Sequence, residues 1–185
     1  HVTPPSSERW SPAYQLPANV AFVHQLGIVP PTTAPRRRFR RHRALLAELW
    51  RLLLQLRARE SEALAALPAV AARVRALGFS SEDVLASEAC WDATVRSYHA
   101  EARDESFLNY FWTWRFGWQP VLELLLFDMP DAGVYHTVST GYAGMLAAVA
   151  ATQWQRPLLL TEHGIYTKER RIEVYSAHWI RDVDD

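Results

Sequence analysis

The sequence lacks several features that would place a chain in a functional class at once. Its one cysteine, Cys90, excludes an internal disulfide and favours a reducing compartment. It has no run of about 18 apolar residues, which a membrane-spanning helix needs, and no signal-peptide pattern at its start. Its 20 basic and 20 acidic side chains balance, so composition does not favour nucleic acid or a membrane surface as a general partner. We therefore expect a cytoplasmic protein that does not bind nucleic acid.

Short catalytic motifs are also missing. The chain has no glycine-rich phosphate loop of the GxGxxG or Walker type and no GxSxG elbow. No cysteine and histidine pattern has the spacing of a metal site, so we predict no metal ligands. The chain begins with His1 rather than methionine and ends in Arg181–Asp185 without a closing element. On these grounds we expect a piece of a longer protein.

Helical periodicity dominates the middle of the chain. Gly78 is the expected stop of one helix, and the acidic residues after Ser80 are expected in the first turn of the next. The predicted helices are Arg41–Arg59, Glu62–Leu77, a segment after Ser80, Cys90–Ala102, Ser106–Phe116 and a separate turn from Pro120 to Phe127.

Strand patterns flank these helices. Alternation predicts a short strand at Asn19–His24. After the helices, strands at Val134–Val138 and Leu158–Thr161 alternate with helices at Gly141–Thr152 and Lys168–Trp179. Short connections in such a series predict parallel pairing. The expected fold is α/β, with a parallel sheet and a helical insertion over about residues 36–127.

The first candidate site is the small-residue turn after Val134–Val138. Ser139, Thr140 and Gly141 stand where a strand becomes a helix, at the strand end where ligands of open α/β sheets collect. Free N–H groups at a helix start attract anions, and Gly141 allows a ligand to approach the backbone. An ordinary side-chain helix cap is the alternative interpretation.

The second candidate site follows the next strand. There His163 can donate a hydrogen bond to a phosphate or a sugar hydroxyl, or accept a proton. Alternatively it holds the turn at Gly164, and Glu162 anchors the loop.

Other polar residues nearby are less specific. Tyr142 and Tyr166 fit either sugar stacking or ordinary packing. Arg170 and its basic neighbours start a predicted helix, where cations oppose the helix dipole. They suit an anionic ligand, although a solvated face paired with glutamates explains them nearly as well. We expect His136, inside its strand, to be a buried and hydrogen-bonded residue.

Two compositional clusters remain. Arg36–Arg43 holds six arginines in eight positions, which suits either an anionic partner or a solvated helix start. The aromatic block Phe107–Trp118 covers most of a helix circumference, and we interpret it as buried between the sheet and the helical insertion.

Four motifs carry a resemblance to a known family. They are His136-x-x-Ser-Thr-Gly-Tyr-Ala-Gly144, Thr161-Glu-His-Gly-Ile-Tyr-Thr-Lys-Glu-Arg170, Ser106-Phe-Leu-Asn-Tyr-Phe-Trp-Thr-Trp114 and Tyr14-x-Leu-Pro-x-Asn-Val20. Together they resemble the N-terminal domain of Pel-type exopolysaccharide glycosyltransferases, a group of family 4 retaining glycosyltransferases with the GT-B fold. The resemblance is sharp over residues 106–180 and carries no motif over residues 36–103.

The resemblance implies that residues 1–185 are part of an acceptor-side, Rossmann-like domain, and that the glycine-rich loop and the donor-binding C-terminal domain lie outside the chain. The implied reaction transfers a hexose from a nucleotide-sugar, UDP-glucose or a related donor, to a growing exopolysaccharide without a metal or other cofactor. The implied catalytic residue is His163. The implied substrate-binding residues are Ser139, Thr140, Gly141, Tyr142, Glu162, Gly164, Tyr166 and Arg170.

An interaction module is the alternative function. In it the leucine-rich and alanine-rich helices from Arg41 to Leu77 dock a membrane-bound polysaccharide synthase protein at the inner membrane, and the sheet is only a scaffold.

Overall fold

A computed structural model describes residues 15–24, 26, 39–162 and 164 of the chain. The chain divides into two compact units, His1–Asp128 and Met129–Asp185. Most of the described part of the first unit is helical, and the second contains a parallel pair of strands. The α/β expectation is therefore met in its coarse form.

The first unit contains five α-helices in its described residues, preceded by a 3-10 turn at Phe39–His42. Helix α1 contacts α2 and α4, and α5 contacts α3 and α4. Leu46, Leu49, Trp50 and Leu53 recur at helical spacing in α1 and are almost fully buried, so α1 supplies the centre of this core. The helices are α1 Arg43–Arg57, α2 Glu62–Ala76, α3 Ser81–Leu85, α4 Glu88–Glu101 and α5 Phe107–Leu125.

Local sequence signals explain where two of these helices meet. Helix α2 ends because Gly78 adopts a left-handed φ of 75°, and its N–H donates to the Arg75 carbonyl at 2.8 Å. Helix α3 then begins with a capping box, in which the Ser80 hydroxyl accepts from the Asp83 N–H and the Asp83 carboxylate accepts from the Ser80 N–H. The predicted stop at Gly78 and the predicted cap near Ser80 are both confirmed.

The predicted break between Phe116 and Pro120 is wrong, because α5 runs unbroken through Pro120. Proline removes the hydrogen bond that its N–H would donate to the Phe116 carbonyl. Phe116 and Gly117 are exposed, so water can satisfy that carbonyl. Trp114 before the proline and Leu122 after it are both buried, and this packing holds the two halves in one helix.

The strand predicted at Asn19–His24 is also wrong. This segment contains a turn, closed by a bond from the Val20 N–H to the Pro17 carbonyl at 3.0 Å, followed by irregular backbone. Phe22 and Val23 are exposed, so the alternating pattern covers no core. Alternation makes a strand only where a neighbouring strand supplies a hydrogen-bonded ladder, and the described residues provide none here.

The aromatic block on α5 is only partly buried, contrary to our interpretation. Trp114 is buried and stacks on Trp50 of α1, with ring centroids 6.0 Å apart. Trp112 and Phe116 lie on the opposite side of the helix and are 46% and 64% exposed. Rings spread around a whole helix cannot all face one neighbour, so part of the block remains on the surface.

The second unit is built from a strand, a helix and a strand. Strand β1, Tyr135–Thr137, pairs in parallel with β2, Leu158–Leu160, in a two-stranded sheet. Helix α6, Gly141–Trp154, connects them and contacts both. Tyr135 packs against Ala147, Ala150 and Ala151 of α6, whose small side chains permit close approach to the strand. Both predicted strands, their parallel pairing and the helix between them are confirmed.

Polar contacts hold the loop that precedes β1 in the second unit. Arg156 donates two hydrogen bonds to the Asp131 carboxylate, each at 2.9 Å, and they lower the pKa of Asp131. The phenol of Tyr135 donates to the Pro130 carbonyl at 2.7 Å, and burial raises the pKa of Tyr135. The loop before β1 is thereby tied to the end of α6, which fixes where β1 begins.

Candidate functional site

The turn between β1 and α6 is held mainly by its own hydroxyl groups. The Thr137 hydroxyl donates to the Ser139 carbonyl at 2.7 Å and accepts a hydrogen bond from the Ser139 N–H at 3.3 Å. The Ser139 hydroxyl donates to the Thr140 carbonyl at 2.9 Å. Thr140 is the N-cap residue of α6, yet its side chain makes no capping hydrogen bond. The ordinary helix cap is therefore absent, and no side-chain cap covers the N–H groups of the first turn.

Two glycines shape this turn. Gly141 has a left-handed φ of 69°, a conformation that other residues adopt only with strain. Gly144 faces back toward the strand, where an added Cβ would lie 3.3 Å from the Ser139 carbonyl oxygen. Together these glycines let the first turn of α6 come close to the loop after β1.

The second strand ends beside the first. The Thr161 N–H donates to the Thr137 carbonyl at 2.9 Å, which extends the ladder by one bond beyond β2. His136 Nε2 lies 2.9 Å from the Thr161 hydroxyl oxygen, so this side-chain bond also joins the two strands. Parallel pairing thus brings the carboxyl ends of β1 and β2 to one edge of the sheet.

This edge gathers most of the predicted site residues that the structure describes. Glu162 and Gly164 follow β2 and are exposed, and the turn with Ser139, Thr140 and Gly141 follows β1. Tyr142 lies in the first turn of α6 and is exposed rather than packed. His163, Tyr166, Arg170 and the helix predicted at Lys168–Trp179 lie outside the described residues.

His136 and Thr161 also belong to the site, although the sequence analysis did not assign them to it. Our expectation of a buried His136 is wrong, because its ring is exposed on the outer face of the sheet. Its hydrogen bond is nevertheless present, to Thr161. Strand alternation placed His136 on one face with Val134 and Val138, but the partner depends on the register Thr137↔Leu160. No local pattern reveals that register.

The arrangement suits a polar ligand. The hydroxyl groups of Ser139 and Thr140 lie at the N-terminus of α6, whose N–H groups favour negative charge and donate hydrogen bonds to the oxygen atoms of a ligand. The carboxylate of Glu162 follows β2 at the same sheet edge, and the imidazole of His136 lies on the outer face of the sheet. Over the part of the chain that the structure describes, no three His, Cys, Asp or Glu side chains converge on a common point to hold a metal ion. The same described residues contain no helix long and apolar enough to cross a membrane.

A protein-family model matches the entire chain, residues 1–185. This chain belongs to the DUF3492 family, a domain of unknown function. No curated protein and no solved structure shows significant similarity to this DUF3492 chain. The family description names no reaction, so the glycosyltransferase resemblance of this DUF3492 domain stays a prediction.

Proposed function

We propose that this DUF3492 domain is the acceptor-side part of a retaining glycosyltransferase with the GT-B fold. The enzyme transfers a hexose from a nucleotide-sugar, UDP-glucose or a related donor, to a growing exopolysaccharide. A donor-binding domain and a glycine-rich loop complete it in the whole protein. The proposal rests on the motif resemblance, which covers both strand ends of the second unit.

One observation supports the proposal above the others. The two motifs follow consecutive strands, and the bond from the Thr161 N–H to the Thr137 carbonyl brings both strand ends to one sheet edge. An open α/β fold binds its ligands at such an edge. Every parallel βαβ unit brings its two strand ends together, so the support lies in the residues that stand there, beside a helix N-terminus without a side-chain cap.

The roles follow from the chemistry of each group. His163 stands after Thr161 and Glu162 and faces the reacting sugar in this proposal, where it donates a hydrogen bond or takes up a proton. The N-terminus of α6 supplies N–H groups to a polar or anionic oxygen. Ser139, Thr140 and Tyr142 line the cleft. Protein groups stabilise the departing diphosphate, so the reaction needs no metal.

The decisive experiment measures UDP release by the whole protein that contains this domain, with UDP-glucose and a polysaccharide acceptor. We expect His163→Ala to lower turnover about 100-fold, the scale of one positioned catalytic group, with little change in melting temperature. His99→Ala is the matched control, because His99 is exposed on α4 and donates no side-chain hydrogen bond among the described residues. Normal turnover in folded His163→Ala protein would reject the assigned role.

The isolated 185-residue domain gives a second test. It should release no UDP, because the donor site lies in another part of the protein in this proposal. Sustained UDP release by the purified domain, with contaminating enzymes excluded, would contradict the assignment of donor binding to a separate domain.

An interaction module is the second candidate function, and one observation favours it. The exposed face of α5 carries Leu108, Trp112 and Phe116 at helical spacing, and the neighbouring Arg115 is mostly covered and paired with Glu82. Such an apolar surface is typical of a protein contact. If a membrane-bound synthase protein docks there, Trp112→Gln with Phe116→Gln should abolish co-purification and leave UDP release unchanged. In that event docking belongs to α5 rather than to the helices from Arg41 to Leu77.

A further inference from the structure

A cavity of about 460 Å³ lies in the first unit where the start of α1 meets the end of α2. Its polar lining is basic, with Arg41 and His42 before α1 and Arg73 from α2, and no carboxylate is among the lining residues that the structure describes. Apolar side chains complete the wall, including Leu45 and Leu77. Cavities of this size hold small organic ligands.

The start of α1 concentrates positive charge at this cavity. Neither the 3-10 turn Phe39–His42 nor the first turn of α1 contains an acidic residue, and His42 makes no side-chain cap. A helix N-terminus already carries partial positive charge, so cations there are unfavourable unless an anion answers them. The dipole of α1 therefore does not stabilise the basic residues at this end of the helix.

Neighbouring arginines show the contrast. Arg43, two residues after Arg41, contacts the carboxylates of Glu88 at 3.6 Å and Asp92 at 3.4 Å. Arg41 forms no ion pair with any residue that the structure describes. Arg73 contacts Glu48 at 3.3 Å through one nitrogen in an exposed pair, which is a weak interaction and leaves its other N–H donors available.

The end of α2 forms the far side of the cavity, and most of its backbone carbonyls are already engaged. At the end of α2 the carbonyls of Arg73, Val74 and Arg75 already accept N–H groups from Leu77, Gly78 or Phe79. The imidazole of His42 packs edge-on against Phe79, with centroids 5.5 Å apart, which positions the ring without adding negative charge. Arg41, which has no ion pair among the described residues, keeps its N–H donors available to an anion from outside.

We propose that this cavity binds a phosphate group carried on an apolar body. Arginine guanidinium groups match phosphate oxygens through paired, charge-assisted hydrogen bonds. Leu45 and Leu77 contact the apolar body. The phosphate belongs either to a soluble phosphorylated compound or to a phospholipid headgroup, and the chemistry of recognition is the same. This inference is independent of the proposed transferase reaction, because no residue of the cavity belongs to the sheet-edge site.

Two probes test the proposal on the 185-residue chain. Inorganic pyrophosphate is titrated by calorimetry, and sedimentation measures binding to phosphatidylcholine vesicles with and without phosphatidic acid. Binding of pyrophosphate indicates a soluble ligand, and binding only to vesicles with phosphatidic acid indicates a headgroup. Either result supports the site, provided that the affinity falls as salt is raised. No binding of either probe at millimolar concentration would overturn it.

Substitutions locate the site. We expect Arg41→Gln and Arg73→Gln each to weaken binding of the active probe about tenfold, the equivalent of one charge-assisted hydrogen bond. Arg51→Gln is the matched control, since Arg51 is exposed on the same helix α1, donates to Gln55 and does not line this cavity. An equal loss in Arg51→Gln would mean diffuse attraction and refute a built site.

A further variant distinguishes loss of binding from loss of the fold. Leu77→Glu places a carboxylate at the cavity wall, and Leu77 is 45% exposed, so the core is not disturbed. This variant should melt normally and lose binding more than tenfold through repulsion of the phosphate. Unchanged affinity in a folded Leu77→Glu protein would contradict the location we assign.

Discussion

At the scale of single residues, Gly141 and Gly117 should respond oppositely to substitution by alanine. Gly141 has a φ of 69° at the start of α6, where alanine would be strained. Gly117 lies inside α5, and an added Cβ there meets nothing within 4 Å. We expect Gly141→Ala to lower the free energy of unfolding by about 1–2 kcal/mol. Gly117→Ala should raise it by about 0.5–1 kcal/mol, because alanine favours a helix.

Urea denaturation followed by circular dichroism measures both glycine variants under one condition. Equal destabilisation by the two substitutions would show that the left-handed conformation of Gly141 is not what the turn requires.

Cys90 gives a second prediction at this scale. Burial raises the pKa of its thiol to about 11, and a hydrogen bond with Thr94 only partly offsets this. A thiol reacts through its thiolate, so the native protein at pH 8 should modify with Ellman's reagent far more slowly than the urea-unfolded chain. Rapid modification of native protein at a rate independent of urea would contradict the burial of Cys90.

The same pKa shift predicts how stability depends on pH. The unfolded chain releases the thiol proton at lower pH than the folded chain, so this contribution is fully present below pH ~8.5 and is lost as pH rises toward about 11. Cys90→Ala should remove that part of the alkaline decline in urea midpoint. An identical decline in the variant would assign it to other groups.

At the scale of elements, two glutamates at the α3–α5 contact should behave oppositely. Glu82 accepts from Arg115 at 2.6 and 2.7 Å in a partly buried pair. Glu123 is bonded by the Ser81 hydroxyl, but burial raises its pKa and the charge of Glu82 adds to this rise. We expect Glu82→Gln to cost about 1–3 kcal/mol at pH 7, and Glu123→Gln to be neutral or stabilising.

Urea unfolding at pH 7 and pH 4 separates the two roles. Any advantage of Glu123→Gln should shrink at the lower pH, because a carboxyl with a raised pKa is then protonated in the native protein. Clear destabilisation by Glu123→Gln at pH 7 would mean that its charge, rather than its hydrogen bond, supports the contact.

Elements with local signals were predictable from the sequence, and those that depend on neighbours were not. Gly78 and Ser80 mark their helix boundaries through their own backbone and side-chain bonds. Pro120 by itself predicts a break in the helix, yet the burial of Trp114 and Leu122 outweighs the lost backbone hydrogen bond. Asn19–His24 has the pattern of a strand but no described partner. Tertiary packing decides such cases, and one segment of sequence cannot reveal it.

At the scale of the whole molecule, the candidate site was predictable in its parts but not in its assembly. The motifs around Ser139 and Glu162 were recognisable because strand ends and helix starts have local signatures. The bond between His136 and Thr161 was not, since it depends on the register of two strands more than 20 residues apart. The basic run was visible too, but only α1–α2 packing reveals a cavity between Arg41 and Arg73.

The exposed face of the small sheet leads to a prediction about the whole chain in solution. Leu159 is 54% exposed in β2, and Val134 and Val138 beside β1 are 53% and 56% exposed. A two-stranded sheet also leaves outer edges among the described residues, and unpaired edges with apolar side chains invite association with other copies. We therefore expect the purified 185-residue chain to aggregate as its concentration rises.

Leu159→Thr tests this source of aggregation. Threonine keeps a strand-forming residue but reduces apolar surface on the outer face, so the soluble fraction and the monomer peak in light scattering should increase. The melting temperature should change little, because Leu159 is not part of the core. Leu122→Thr is the contrasting control, since Leu122 is fully buried in α5 and its loss should unfold the first unit and worsen aggregation. Unchanged aggregation in a folded Leu159→Thr protein would direct attention to the exposed aromatic residues of α5 instead.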